Sequence, residues 1–261
     1  MAALASLLSL ISLSWFTVLL DAGIVAGVAL AVRLAHRRGV PVSAALDIAW
    51  WVLAAALLGA RLWYVALHVA EYAANPLPAT FIWEGGLALP GAITAGAFGV
   101  LAAARYLRLP AGICVDAAAI GTALGQAIGR LGCLPAGCSL GRIVVAGAAL
   151  PSLPLPDPTG LVQARFPSQL VEALAEAVLG ALLLALWRRR LPGGTVGATY
   201  LVGYGLVRCL AEPIREPGAS LAGAPVALWW AVGALMSGIW LLGQRTDAFP
   251  PAATAVSSPT A

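Results

Sequence analysis

Gly129–Arg142 reads GRLGCLPAGCSLGR, with two arginines, two cysteines and four glycines in a chain that is 61% hydrophobic and 10% charged. The solvent around that stretch decides the fold. A mean hydropathy of +0.92 over 261 residues means more apolar surface than a soluble domain of this length hides, and a bilayer covers the excess. Just upstream, Gly121, Gly125 and Gly129 repeat every fourth residue along one helical face, so a neighbouring helix can approach closely in lipid. The helix that carries them is expected to be central.

Working outward, apolar runs lie near residues 12–34, 44–70, 87–104, 113–133, 168–187, 195–212 and 225–243. Each is about long enough to cross ~30 Å of hydrocarbon. The expected fold is an all-α integral membrane protein, a single domain of seven transmembrane helices over 1–245, with a Pro-rich loop at 139–167. Residues 246–261 read as a disordered tail, since their Pro, Ala, Ser and Thr build no core. The start MAALASLLSL lacks the basic n-region of a signal peptide and is expected to be retained.

Every basic residue apart from two histidines is arginine. Arg33, Arg37, Arg38, Arg105, Arg108, Arg188, Arg189, Arg190 and Arg245 all fall on one side of a seven-span arrangement, which the positive-inside rule makes cytoplasmic. The amino terminus and loop 139–167 then lie outside. The net charge of +4 is mostly this topological signal. With the arginines divided among loops and spans, no single basic face is present for nucleic acid.

Four arginines are not explained that way. Arg61, Arg130, Arg208 and Arg215 lie inside spans or at their outer ends, where a charge costs several kcal/mol unless it is paired or faces a wet cavity. Arg61, Tyr64 and His68 share one helical face, while Tyr204, Arg208, Glu212 and Arg215 share another. Arg208 with Glu212 also reads as a simple structural ion pair. WEGGLALPG, Trp83 to Gly91, suggests irregular backbone where a cavity opens. Cys133 and Cys138 flank a turn marked by Pro135 and Gly137; they form either a disulfide, which needs α-carbons ~4.4–6.8 Å apart, or two free thiols packed as small apolar residues. Cys114 and Cys209 read as core residues. No cofactor motif, zinc spacing, phosphate loop or serine-hydrolase elbow is present.

Together these segments resemble the prolipoprotein diacylglyceryl transferase family. LGARLWYVALH is similar to its Gly-Arg-x-x-Tyr segment, WEGGLALPGAITAG to its Trp-Asp/Glu-Gly-Gly segment, and GQAIGRLGCLPAGCSLGR to its signature. FPSQLVEAL resembles the His-Pro-Ser-Gln-Leu-Tyr-Glu motif, and GYGLVRCLAEPIREP the segment that closes the family pattern. The resemblance implies a multi-pass protein of the bacterial inner membrane that moves the diacylglyceryl group of phosphatidylglycerol onto the lipobox cysteine thiol of a preprolipoprotein, without a cofactor, releasing glycerol-1-phosphate. It implies catalytic roles for Arg130, Arg208 and Glu212, with Gly141 closing the signature. Arg61, Tyr64, Glu84, Tyr204 and Arg215 are the further substrate-side candidates.

The departures from the family pattern are concentrated in its thiol-activating half. Pro90 stands where the family's histidine base would be, Cys133 and Ala136 replace two asparagines, and Cys138 replaces a glutamate. Phe166 and Val171 replace a histidine and a tyrosine, and Leu20 and Asp21 lie near a missing tyrosine of the first span. His68 reads either as the imidazole that substitutes as base or as an amphipathic histidine at a membrane interface, and a disulfide would stand in for the lost polar contacts. Two alternatives follow: a protein that binds or moves anionic phospholipid without catalysis, and a membrane thiol-redox protein using Cys133 and Cys138.

Overall fold

The computed structural model describes residues 15–145, 147, 149–157 and 159–244, with the Glu84 side chain left out. The expected disordered tail and the retained start therefore lie outside the described residues.

All seven apolar runs form helices. These are α1 (Trp15–His36), α2 (Val42–Leu67), α3 (Leu89–Tyr106), α4 (Ala111–Ala136), α5 (Ser168–Arg188), α6 (Thr195–Ala211) and α7 (Val226–Gly243). Their ends follow proline and left-handed backbone. Pro41 precedes α2, Pro90 sits in the first turn of α3 where its missing N–H has no partner to lose, and Pro225 precedes α7. Gly39, Arg108, Gly137 and Arg190 all take positive φ just past a helix. Pro213 stops α6 after Ala211 and forces a 3₁₀ turn over Glu212–Ile214, so the expected face from Tyr204 to Arg215 does not continue as one helix.

Five of the helices, α1, α2, α4, α5 and α7, are long and apolar enough to cross a membrane. Residues 195–211 form a helix of 17 residues, and α3 is rich in glycine and alanine and ends in Arg105 and Tyr106. Helix α4 is the most buried of the five, at 50% of its most apolar stretch against 11–33% for the others. Outside the helices the loop expected at 139–167 contains an antiparallel ribbon, β1 (Leu153–Pro156) with β2 (Val162–Arg165), and a smaller one pairs β3 (Ser220–Leu221) with β4 (Ala224–Pro225). Asp157 closes the first: its Oδ1 accepts the Thr159 and Leu161 N–H groups at 2.9 and 3.0 Å and the Thr159 hydroxyl at 2.6 Å. These donors hold the Asp157 carboxyl below the usual carboxylate range.

The chain divides into two compact groups of segments. Among the described residues, the first comprises those within 15–29, 121–182 and 203–235. Within it the glycine face of α4 packs on α1: a Cβ on Gly27 would stand 2.5 Å from the Gly121 carbonyl, and one on Gly23 2.7 Å from that of Gly125. Only glycine allows backbones so close, and in lipid such contact replaces the hydrophobic effect as the source of helix association. The second comprises 30–120, 183–202 and 236–244. There α2 and α3 meet the same way, Gly59 against Gly91. The buried Asp116 carboxylate accepts N–H groups of Gly194 and Gly197 at 3.0 and 2.7 Å, capping the start of α6 from a neighbouring helix. Arg38 lies over the Trp187 ring, 4.4 Å from its centre, and donates to the Trp187 carbonyl.

Candidate active site: arginines sharing a buried carboxylate

In the first group, Glu172 near the start of α5 is 2% exposed and receives two guanidiniums. Arg130 Nη2 lies 2.7 Å from its Oε2 and Arg215 Nη1 2.6 Å from its Oε1. Leaving either charge without such a partner in apolar surroundings is what Arg130 in α4 and Glu172 in α5 avoid by facing each other. Arg130 Nη1 also donates to Ser139 Oγ at 2.9 Å, and Arg215 Nη1 to the Ser139 carbonyl at 3.3 Å. Arg208 Nη2 lies 3.0 Å from Glu212 Oε2, across one turn. That contact is a charge pair outside hydrogen-bond alignment, so Arg208 Nη1 and Glu212 Oε2 are buried without a hydrogen-bond partner among the described residues. The charges of Arg208 and Arg130 both act on Arg215, which places the three arginines in one electrostatic field. Tyr204, 2% exposed, meets Trp230 edge-on at 5.4 Å.

The segment after α4 frames this cluster. Cys133 and Cys138 are joined as a disulfide, with α-carbons 4.8 Å apart. Gly137 takes φ +66 against the Asp157 backbone, and Gly141 bridges Arg215 and lies so close to Phe166 that a Cβ would overlap the Phe166 carbonyl. Phe166 and Val171 bring apolar side chains here: Phe166 lies against Gly141, its N–H donating to the Arg142 carbonyl at 2.9 Å, and Val171 is 43% exposed. Arg165, 3% exposed, lies 2.8 Å from Glu216 and ties the ribbon to the segment after α6.

The remaining site candidates belong to the second group. Arg61 donates Nε to the Ala79 carbonyl at 2.8 Å, Nη2 to Pro78 at 2.6 Å and Nη1 to Gly85 and Gly86 at 2.7 and 3.1 Å. Tyr64 and Tyr72 lie 5.8 and 5.6 Å from its guanidinium. Arg61 therefore fastens the irregular 78–86 backbone. His68 caps α2, stacks on Tyr64 at 4.0 Å and directs Nδ1 to the Tyr64 carbonyl at 2.9 Å. A carbonyl only accepts, so in the neutral ring Nδ1 carries the hydrogen and Nε2 presents a lone pair. Pro90 lies in the first turn of α3, its carbonyl accepting from Thr94 at 2.8 Å. Glu84 ends a 3₁₀ turn over Ile82–Glu84.

Sequence reasoning gave no role to Glu172, although it is the glutamate of the FPSQLVEAL segment, nor to Glu176 or Ser139. Glu172 and Glu176 stand in the 168–187 apolar run at i and i+4, both at most 2% exposed. The cost argument that singled out the membrane arginines applies equally to them. Ser139 carries no sequence signal of its own.

Fold and site define a multi-pass helical membrane protein in which Arg130, Arg208 and Arg215 are paired with Glu172 and Glu212. A profile of the prolipoprotein diacylglyceryl transferase family matches residues 3–243. Phosphatidylglycerol–prolipoprotein diacylglyceryl transferase of Synechococcus elongatus is 32% identical over 248 residues, covering 90% of this chain and 86% of the relative. The proteins of that name from Parasynechococcus marenigrum and Lactococcus lactis are 31% identical (92% and 93% covered) and 29% identical (90% and 91% covered). The chain belongs to the prolipoprotein diacylglyceryl transferase family.

Proposed function

We propose that this protein transfers the diacylglyceryl group of phosphatidylglycerol to the lipobox cysteine thiol of a preprolipoprotein. The observation that carries the reading is the Arg130–Glu172–Arg215 cluster, two guanidiniums on one buried carboxylate, in a member of this family. Such forks bind a phosphodiester through paired charged hydrogen bonds and stabilise the charge that grows on the leaving phosphate. The unpartnered Arg208 N–H supplies a further donor. In the reaction the thiol sulfur bonds to the glyceryl carbon, the carbon–oxygen bond to phosphate breaks and glycerol-1-phosphate leaves; the thiol proton passes to a base. With Pro90 in place of the family's histidine, His68 Nε2 is the acceptor this reading assigns. Restored lipoprotein modification in bacteria depleted of their own transferase tests the whole, and an unchanged rate in His68→Gln across pH 6 to 8 would remove that assignment.

The same reading places the chain in the bacterial inner membrane as one domain with seven spans, amino terminus outside. A reporter inserted at 151–158 should then be accessible externally and one fused after Arg245 only from the cytoplasm. The reverse at either position rejects the topology.

A further inference from the structure

One residue that the signature resemblance does not mark holds both guanidiniums of the Glu172 cluster. Ser139 accepts from Arg130 Nη1 through its hydroxyl at 2.9 Å. Its carbonyl accepts from Arg215 Nη1 at 3.3 Å and from the Ser168 hydroxyl at 2.9 Å. It does so at φ +55, a left-handed conformation that a residue with a side chain keeps only where the surroundings impose it.

Those surroundings are on both sides of it. On one side Cys138 is bonded to Cys133, its N–H reaches the Cys133 carbonyl at 3.3 Å, and its carbonyl accepts Gln169 Nε2 at 3.0 Å. On the other, Glu216 N–H donates to the Leu140 carbonyl at 2.9 Å and Gly141 bridges Arg215. The Gly137 turn between the cysteines would otherwise be free to relax, because glycine at φ +66 has a broad choice of conformations. The covalent link removes that choice one residue before Ser139.

We infer that Ser139 is a positioning residue for Arg130 and Arg215, kept in place by the Cys133–Cys138 disulfide, so that transfer runs at full rate only in the oxidised protein. The inference rests on the transferase reading. Ser139 itself touches no substrate; it acts by aiming guanidiniums whose stabilising effect grows as charge develops on the departing phosphate, and its loss therefore falls on kcat more than on KM. A dithiol reverses the arrangement by exchange. Its two thiols give up two electrons and two protons, the Cys133–Cys138 bond becomes two thiols, and the dithiol becomes a disulfide.

The test uses the full-length protein in detergent–phosphatidylglycerol micelles with a lipobox peptide as acceptor. Ser139→Ala should lower kcat about 10-fold to 100-fold, the scale of a misaimed catalytic group. KM for phosphatidylglycerol should stay within about twofold, Ser139→Asn, which tolerates the left-handed backbone and keeps an acceptor oxygen, should restore most of the rate, and Ser139→Gly, which relieves the backbone but lacks the hydroxyl, should behave as the alanine variant. Dithiothreitol, removed before assay, should bring the wild type down to the rate of the Cys133→Ser/Cys138→Ser variant, leave that variant unchanged, and be reversed by reoxidation. Full kcat in Ser139→Ala overturns the positioning role. Full rate in reduced wild type, with both thiols shown alkylated by mass spectrometry, overturns the role of the disulfide. Absence of transfer by the oxidised wild type is a different failure, that of the transferase reading itself.

Discussion

Arg208→Lys is expected to lose transfer as completely as Arg208→Ala, and Arg130→Ala with them, by at least about 10²–10³-fold in kcat/KM. The lysine result is the informative one. An ammonium keeps the charge but presents a single point, whereas a guanidinium can hold Glu212 with one nitrogen and leave the buried Nη1 aimed at a phosphate oxygen. Arg189, exposed after α5, should tolerate alanine with nearly unchanged turnover, since on the proposed topology its charge serves orientation alone. Steady-state transfer by the purified variants, compared at equal folded protein, makes the measurement. Wild-type turnover in Arg208→Lys would show that this residue is only half of a structural pair.

Glu172→Ala should be the most damaging single substitution for the folded state. It leaves the Arg130 and Arg215 guanidiniums, 11% and 15% exposed, without their shared counter-charge. Breaking a buried pair by removing one partner costs about 3–5 kcal/mol, and here two cations lose the same partner. The expected result is a sharp fall in the amount of protein that survives extraction and a lower thermal midpoint. Glu172→Gln, which keeps an acceptor oxygen for one guanidinium, should accumulate better and still lose activity. Equal stability of the alanine variant and the wild type would mean that water or lipid already neutralises the two arginines.

The helices were legible because each apolar run is bounded by proline or by glycine, and bilayer thickness sets a length that a sequence window can measure. The limits of the runs moved by only a few residues, α2 stopping at Leu67 where His68 turns back to cap it. The breakdown of the Tyr204–Arg215 face at Pro213 was visible in the sequence as well, but helical spacing was extended through it. The arginines of the site were legible as charges out of place. Their counter-charge was not found because the same scrutiny was not given to acidic residues of the fifth apolar run. Ser139 was beyond reach: its role comes from a backbone conformation and from partners on α4, α5 and the segment after α6, none adjacent in sequence. Arg61, read as a substrate ligand, fastens carbonyls that no side-chain pattern announces.

Arg61 and Arg130 also differ in when, during synthesis, each finds its partners. The carbonyls that receive Arg61 lie 17 to 25 residues further along the chain. At about 5–20 residues per second they emerge roughly one to five seconds after the arginine does, so the Arg61 donors are satisfied by carbonyls of the adjoining segment. Arg130 must wait for Glu172, and Glu172 must wait 43 residues more for Arg215. The Glu172 cluster is therefore complete only once residue 215 has been made, long after the Arg61 donors have met their carbonyls.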